Sequence, residues 1–202
     1  MNPELPGTLI IFEGIDGTGK STQLKQLANA LTERGIEVVT SYEPTNGPYG
    51  QKLRASMSEG RLSGEEELAL FHSDRRDHVE HLILPALVAG KTVILDRYYF
   101  STMAYQGARG FDSEEIRRQN EDFAPIPDHV VLLELPVQEA LQRIGGRDGS
   151  GNEFEKEENL RACARIFASL TDSFIFRIDA RQSSEEIHEK VLAHILGNFK
   201  KP

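Results

Sequence analysis

Five short apolar runs rich in β-branched residues recur along the chain, at 9–12, 36–39, 92–95, 130–133 and 174–176. Runs of this kind, continuous rather than alternating with polar positions, predict strands covered on both faces. Between them lie longer stretches with apolar residues at helical spacing, which suit βαβ crossovers into a parallel sheet. The pattern predicts a three-layer α/β domain, with five parallel strands and helices on both faces. Helices are expected at 20–34, ended by Gly35; at 64–89, opened by Ser63; at 113–123, behind Asp112; at 137–144; at 154–170; and at 184–199, after Ser183. Ser and Asp at these starts offer side-chain oxygens to the unpaired N–H groups of a first turn. The run Gly145-Gly146-Arg147-Asp148-Gly149-Ser150-Gly151-Asn152 is too Gly-rich for either regular element and is expected to be a mobile loop.

Composition narrows the class. The 202 residues are 39% hydrophobic and 27% charged, a balance that suits one globular domain over 1–202 and excludes collagen-like and low-complexity chains. A net charge of −9, spread over both halves, gives no footprint for duplex nucleic acid or an anionic bilayer. Neither partner is expected. The single Cys163 cannot close an intramolecular disulfide, and its spacing with Leu160, Phe167 and Leu170 reads as a core position. The first six residues carry no basic and apolar leader pattern, and the longest apolar run, 82–90, is broken by Pro85 and too short to span a membrane. A cytoplasmic protein is expected.

The strongest chemical signal is Gly14-Ile15-Asp16-Gly17-Thr18-Gly19-Lys20-Ser21, continued by Thr22. It matches G-x-x-x-x-G-K-[ST] at every fixed position, follows a predicted strand and opens a predicted helix. In that setting backbone N–H groups and a helix N-terminus face a polyphosphate. Glycines let the backbone curl close to the phosphate oxygens. Lys20 is placed to reach the outer phosphates, and the Ser21 hydroxyl to ligate a Mg²⁺ that bridges them. Asp96 ends the run 92–95, where a parallel sheet presents ligands beyond its strand ends, and is a second candidate for the metal, partly through water.

Such a cradle serves switches, ATP-driven machines and small-molecule kinases alike. No Asn-Lys-x-Asp stretch for reading guanine occurs. Transfer between two phosphate groups requires cations on the acceptor side and on a closing lid. Arg75 and Arg97 suit the first place; Arg143 and Arg147, in or beside the Gly-rich segment at about 143–153, suit the second. A kinase is favoured, with other nucleoside or nucleotide kinases and a non-kinase ATPase as the alternatives.

Taken together, Phe12-Glu13-Gly14 through Thr22, Glu43-Pro44, Phe71 with Arg75, and Asp96-Arg97-Tyr98 through Ser101 to Ala104-Tyr105-Gln106 resemble the thymidylate kinase family. The resemblance implies transfer of the ATP γ-phosphoryl to dTMP, with Mg²⁺ required, and a homodimer. It implies that Phe71 stacks on thymine, Arg75 bonds a base carbonyl, Arg97 grips the acceptor phosphate and Asp16 meets the sugar 3′-hydroxyl. Tyr105 would lie beneath the deoxyribose and Gln106 near the base edge, with Glu43 also on the dTMP side. Arg147 is the implied transition-state arginine, supported by Arg143. Two positions depart from the bacterial pattern: Tyr42 stands where Arg often precedes Glu-Pro, and Glu153 where Arg often precedes the apolar-Glu pair after the lid.

Other polar clusters invite simpler readings. His78 and His81 with Asp74 and Asp77 have helical spacing but no third ligand type that suits a metal, and are expected on a wet helix face. The run Glu65-Glu66-Glu67 is expected to be solvated as well, and Arg76 and Arg109 to be surface residues.

Overall fold

The computed structural model describes residues 5–60, 62–145 and 153–199. Five strands form one parallel sheet: β1 (Thr8–Glu13), β2 (Val38–Tyr42), β3 (Thr92–Asp96), β4 (His129–Glu134) and β5 (Ile175–Asp179), in the order β2-β3-β1-β4-β5. The helices are α1 (Lys20–Thr32), α2 (Pro48–Glu59), α3 (Gly64–His78), α4 (Leu84–Val88), α5 (Tyr99–Gly107), α6 (Ser113–Glu121), α7 (Val137–Gly145), α8 (Glu153–Ser169) and α9 (Ser184–Gly197). The predicted five-stranded α/β architecture is the one observed.

Burial follows the strand order. Every residue of β1 is buried, and β3 and β4 nearly so, because each has a strand on either side and helices over the faces. The edge strands β2 and β5 are only half-buried, so the expectation of two covered faces fails there. β2 also starts later than predicted: Ile36 closes the turn after α1 through its N–H to the Leu31 carbonyl at 3.1 Å, and the ladder to β3 runs from Val38 to Tyr42. Cys163 is fully buried in the core, as expected.

The predicted helix at 64–89 is continuous but changes character. Its first part, α3, is fixed by a complete capping box between Ser63 and Glu66. A five-residue π-helical turn, Val79–Ile83, then leads into α4. Pro85 provides the reason: it has no N–H and its ring crowds the preceding turn, and a wider turn relieves both. Two helices had no sequence signal. The Gly47-Pro48-Tyr49-Gly50 start of α2 reads as a turn, although Pro48 sits at the first helical position, where a missing N–H costs nothing. α5 is buried at seven of nine positions, Tyr99 to Ala104 and Gln106, so it has no polar face from which a helical period could be read.

The pairing of β1 with β3 brings Phe12 opposite Asp96. The loop after β1 and the carboxylate ending β3 therefore leave the sheet side by side. The contrast between central and edge strands is testable by urea denaturation. Ile94→Ala, in the fully buried β3, should lower the unfolding free energy by about 2–5 kcal/mol, and Val38→Ala, on the half-buried edge, by about 1 kcal/mol or less.

Candidate active site

The loop from Gly14 to Gly19 joins β1 to α1. Gly14, Gly17 and Gly19 all have positive φ, at 135°, 84° and 94°. A β-carbon on Gly14 would lie 2.4 Å from the Leu133 carbonyl oxygen, and one on Gly17 would lie 2.8 Å from that of Ala140. The loop is thus threaded tightly between β4 and α7 in a shape only glycine adopts at those positions. Thr18 ties the loop to itself, its hydroxyl donating to the Ile15 carbonyl at 3.0 Å.

Lys20 is buried and folds back over the loop, its Nζ donating to the carbonyls of Gly14 and Ile15, both at 2.9 Å. Burial, with Arg97 close by, pushes its amine down to about 8, against the opposing pull of Asp16, Asp96 and Glu13. The next residue, Ser21, donates its hydroxyl to Asp96 Oδ2. Asp96 Oδ1 is buried and has no hydrogen-bond partner among the described residues.

Arg97 follows Asp96 in a left-handed conformation, φ +72°. Among non-glycine residues this is uncommon and costs energy that the surroundings must offset. Its backbone N–H donates to the Phe12 carbonyl at 3.0 Å, its Nη1 donates to Ser101 Oγ at 3.0 Å, and its Nη2 pairs with Asp16. The guanidinium lies 5.2 Å from the centre of the Tyr105 ring, and Tyr105 in turn donates its hydroxyl to Asp16 Oδ2 at 3.0 Å. Burial alone would raise the Asp16 carboxyl, but Arg97, Lys20 and the Tyr105 hydroxyl overcome it and hold the group below its ordinary range.

A second cluster surrounds Arg75, which is 1% exposed. Its Nε donates to Glu43 Oε2 at 2.8 Å, its Nη2 lies 2.7 Å from the same oxygen and donates to Thr102 at 3.0 Å, and its Nη1 donates to Asn120 at 2.6 Å. Three hydrogen bonds and the ion pair to Glu43 hold the guanidinium, whose five N–H donors outnumber the three hydrogen bonds. Glu43 also meets His78 Nδ1 at 3.0 Å, and His78 Nε2 meets Ser41 at 2.8 Å. Burial would raise Glu43; Arg75 and His78 together keep it lowered.

A family model described as Thymidylate kinase matches residues 12–191. The chain belongs to the thymidylate kinase family. Among relatives, a thymidylate kinase of Akkermansia muciniphila is 56% identical over 188 residues, 93% of this chain and 91% of that protein. One of Desulfotalea psychrophila is 50% identical over 192 residues, covering 94% and 95%. One of Xanthomonas campestris pv. campestris is 48% identical over 191 residues, covering 95% and 84%.

In this family member the fold brings Gly14, Asp16, Lys20, Ser21, Asp96, Arg97 and Tyr105 together at the ends of β1 and β3. Phe71 is half-buried and is not among the described residues that pack on the main core. Gln106 is buried with its amide turned to Glu67 and Arg109, at 3.3 Å from each. Arg143, near the end of α7, donates to the Ala180 carbonyl at 3.0 Å and to that of Gly17 at 3.4 Å, which puts a cation against the glycine loop. Arg147 lies outside the described residues, as does most of the expected lid; only Arg143, Ile144, Gly145 and the backbone of Glu153 fall within them, all helical. Tyr42 lines a cleft of about 480 Å³ with Ser21, Lys25, Asp96 and Arg97.

Several polar residues expected at the surface are buried instead. Asp74 accepts the Thr45 N–H at 2.7 Å and hydroxyl at 2.6 Å, and His78 belongs to the Arg75 cluster. Glu67 is buried and pairs with Arg109, whereas Arg76 is exposed as expected, its guanidinium lying over the Phe123 ring at 3.8 Å. No group of three or more His, Cys, Asp or Glu that could hold a metal occurs among the described residues. The partners of Asp74, His78 and Glu67 stand 29 to 42 positions away, a separation that helical spacing cannot reveal. Thr102 and Asn120 carried no signal of their own, and Glu13, although part of the Phe12-Glu13-Gly14 run, was given no role.

The Lys20 amine should titrate near pH 8 in the ligand-free protein, followed by NMR of ¹³C-labelled lysine. Arg97→Ala removes a positive neighbour and should move that midpoint up. Asp16→Asn removes a negative one and should move it down.

Proposed function

We propose that this chain transfers the γ-phosphoryl group of ATP to dTMP, giving dTDP and ADP, as one catalytic domain. The contact between Arg97 and Asp16 carries the reading. Asp16 belongs to the loop that cradles the donor phosphates, and Arg97 is the cation for the acceptor phosphate. The donor loop and the cation for the acceptor phosphate are therefore already in contact.

On this reading the backbone of Gly14, Ile15, Gly17, Thr18 and Gly19, with Ser21 and Thr22 at the start of α1, holds the ATP phosphates. Lys20 exchanges its two loop carbonyls for phosphate oxygens. Arg97 turns from Asp16 to the acceptor phosphate, and Asp16 is left for the sugar 3′-hydroxyl. Phe71 stacks on the base, and Arg75 offers an N–H to a base carbonyl, with Glu43 holding its other side. Stacking binds any base, so the polar edge must choose thymine; Gln106 contributes near that edge. Tyr105 packs beneath the deoxyribose. Lys25, on the cleft shared with Tyr42, supplies a positive charge there in place of the arginine that Tyr42 replaces.

The residues fit a magnesium ion. The hydroxyl of Ser21 and the carboxylate of Asp96 are hard oxygen donors, and Asp96 Oδ1 is buried without a partner. They would hold Mg²⁺ partly through water, and the bound ion would neutralise charge on the phosphates. Arg147, supported by Arg143, completes the set as the cation that meets charge developing on the transferred group. The family resemblance supports a homodimer in the cytoplasm, and the net charge of −9 supports a protein without nucleic-acid or membrane partners. No helix among the described residues is long and apolar enough to cross a membrane.

Incubation with Mg-ATP and each nucleoside monophosphate in turn, with ADP measured, should show fastest turnover with dTMP. A faster acceptor with another base overturns the assignment. Arg147→Ala should lower turnover on the order of 10³–10⁵-fold; a loss under tenfold moves the role to Arg143.

A further inference from the structure

Glu13, the last residue of β1, is fully buried, and its carboxylate points across the sheet to the start of α5. The first turn of that helix lacks the usual local cap: its N-cap residue, Tyr98, makes no side-chain capping bond. Glu13 supplies one from 85 positions away. Its Oε1 accepts the Tyr98 N–H at 2.8 Å and, at 3.1 Å, the Ser101 N–H, which it shares with the Tyr98 carbonyl. A carboxylate there also complements the positive end of the helix.

Its other oxygen, Oε2, accepts the Ser101 hydroxyl at 2.6 Å. That bond fixes the direction of the only proton on Ser101 Oγ, which leaves the oxygen's lone pairs for Arg97 Nη1 at 3.0 Å. The order of donation runs Arg97 to Ser101 to Glu13. All three groups that meet Glu13 donate, so each favours its charged form, although burial pushes the carboxyl up. Arg97 meanwhile sits in the left-handed region, where an unsupported residue would relax.

We infer that Glu13 and Ser101 are positioning residues for Arg97, and that Glu13, placed directly before Gly14, registers the acceptor-holding guanidinium against the donor cradle. The inference rests on the reading of Arg97 as the acceptor-phosphate cation. It adds that the direction of this cation is set by a buried carboxylate rather than by Asp16, which must release it when substrate arrives. Neither Glu13 nor Ser101 needs to touch the nucleotide.

The test compares Ser101→Ala, Ser101→Thr, Glu13→Gln, Arg97→Ala and the double variant Ser101→Ala/Arg97→Ala, each checked for a cooperative thermal melt. Ser101→Ala should lower kcat/KM for dTMP by about 10–100-fold, the scale of a misdirected catalytic group, with the KM for ATP within about twofold of its original value. Ser101→Thr keeps the hydroxyl and should restore most of the activity. Glu13→Gln, whose amide cannot accept the Ser101 proton in the same arrangement, should share the defect; if it fails to melt cooperatively, the Ser101 pair decides. In the Arg97→Ala background, Ser101→Ala should cost no further than about twofold.

Three results overturn the proposal: activity within twofold in Ser101→Ala, an equal loss toward both substrates, or the same loss with Arg97 already removed. Each of these leaves the role of Arg97 standing if Arg97→Ala alone collapses dTMP turnover. Should Arg97→Ala keep its activity, the acceptor assignment fails and the positioning role falls with it.

Discussion

Ionised groups held away from water must each find an opposite charge or a set of hydrogen bonds, and this requirement organises the ends of β1, β2 and β3. Glu13, Asp16, Glu43 and Asp96 stand there with Lys20, Arg75 and Arg97. Arg75 takes Glu43, Arg97 takes Asp16, Ser21 takes Asp96, and Glu13 takes the start of α5. Each pairing joins elements distant in sequence, so the charges fix how the loop after β1, the strand β3 and the helices α3 and α5 meet. The parallel register of β1 and β3 makes this possible, because it sets Asp96 opposite Phe12 and hence beside Glu13.

A buried ion pair is a weak source of stability, since desolvation consumes most of the attraction. The cluster around Arg75 is better understood through direction than through strength. Glu43, Thr102 and Asn120 approach the guanidinium from three elements, and His78 braces Glu43 from behind. A planar cation held on that many sides can turn only as a rigid unit, which is what a specific contact with a base edge requires. Stability rests elsewhere, in the apolar layer of β1, β3 and β4.

The legible parts of the chain were those whose signal is local. The glycine loop announces itself within eight residues, and Asp96 follows directly from the apolar run that carries it. The central strands could be read because burial on both faces leaves an unbroken apolar run; the edge strands were misplaced because half-exposure breaks that run. α5 was hidden by the opposite excess, being buried all round, and with it went the position of Ser101 and Thr102. Glu67, Asp74 and His78 looked like a solvated face because a charge reads as surface until its partner is known, and here the partners come from other elements. The role of Glu13 was hidden for the same reason, its partners lying 85 and 88 positions away.

Charge also explains why the described site is not sufficient for the proposed transfer. Its four carboxylates against three cations leave a formal charge of −1, from 3 − 4, counted over Glu13, Asp16, Glu43, Asp96, Lys20, Arg75 and Arg97. A monophosphate brings about −1.5 to −2 more at neutral pH, and a triphosphate further still. Rearrangement alone cannot offset this: moving Arg97 from Asp16 to a phosphate frees one anion for every one it covers. Additional positive charge must arrive with the substrates or close over them, which is the part assigned to a magnesium ion on Ser21 and Asp96 and to Arg143 and Arg147. Arg143 already leans on the Gly17 carbonyl, which sets one cation of α7 against the cradle. The fixed arrangement at the strand ends sets where the phosphates meet, and the added cations make that meeting electrostatically tolerable.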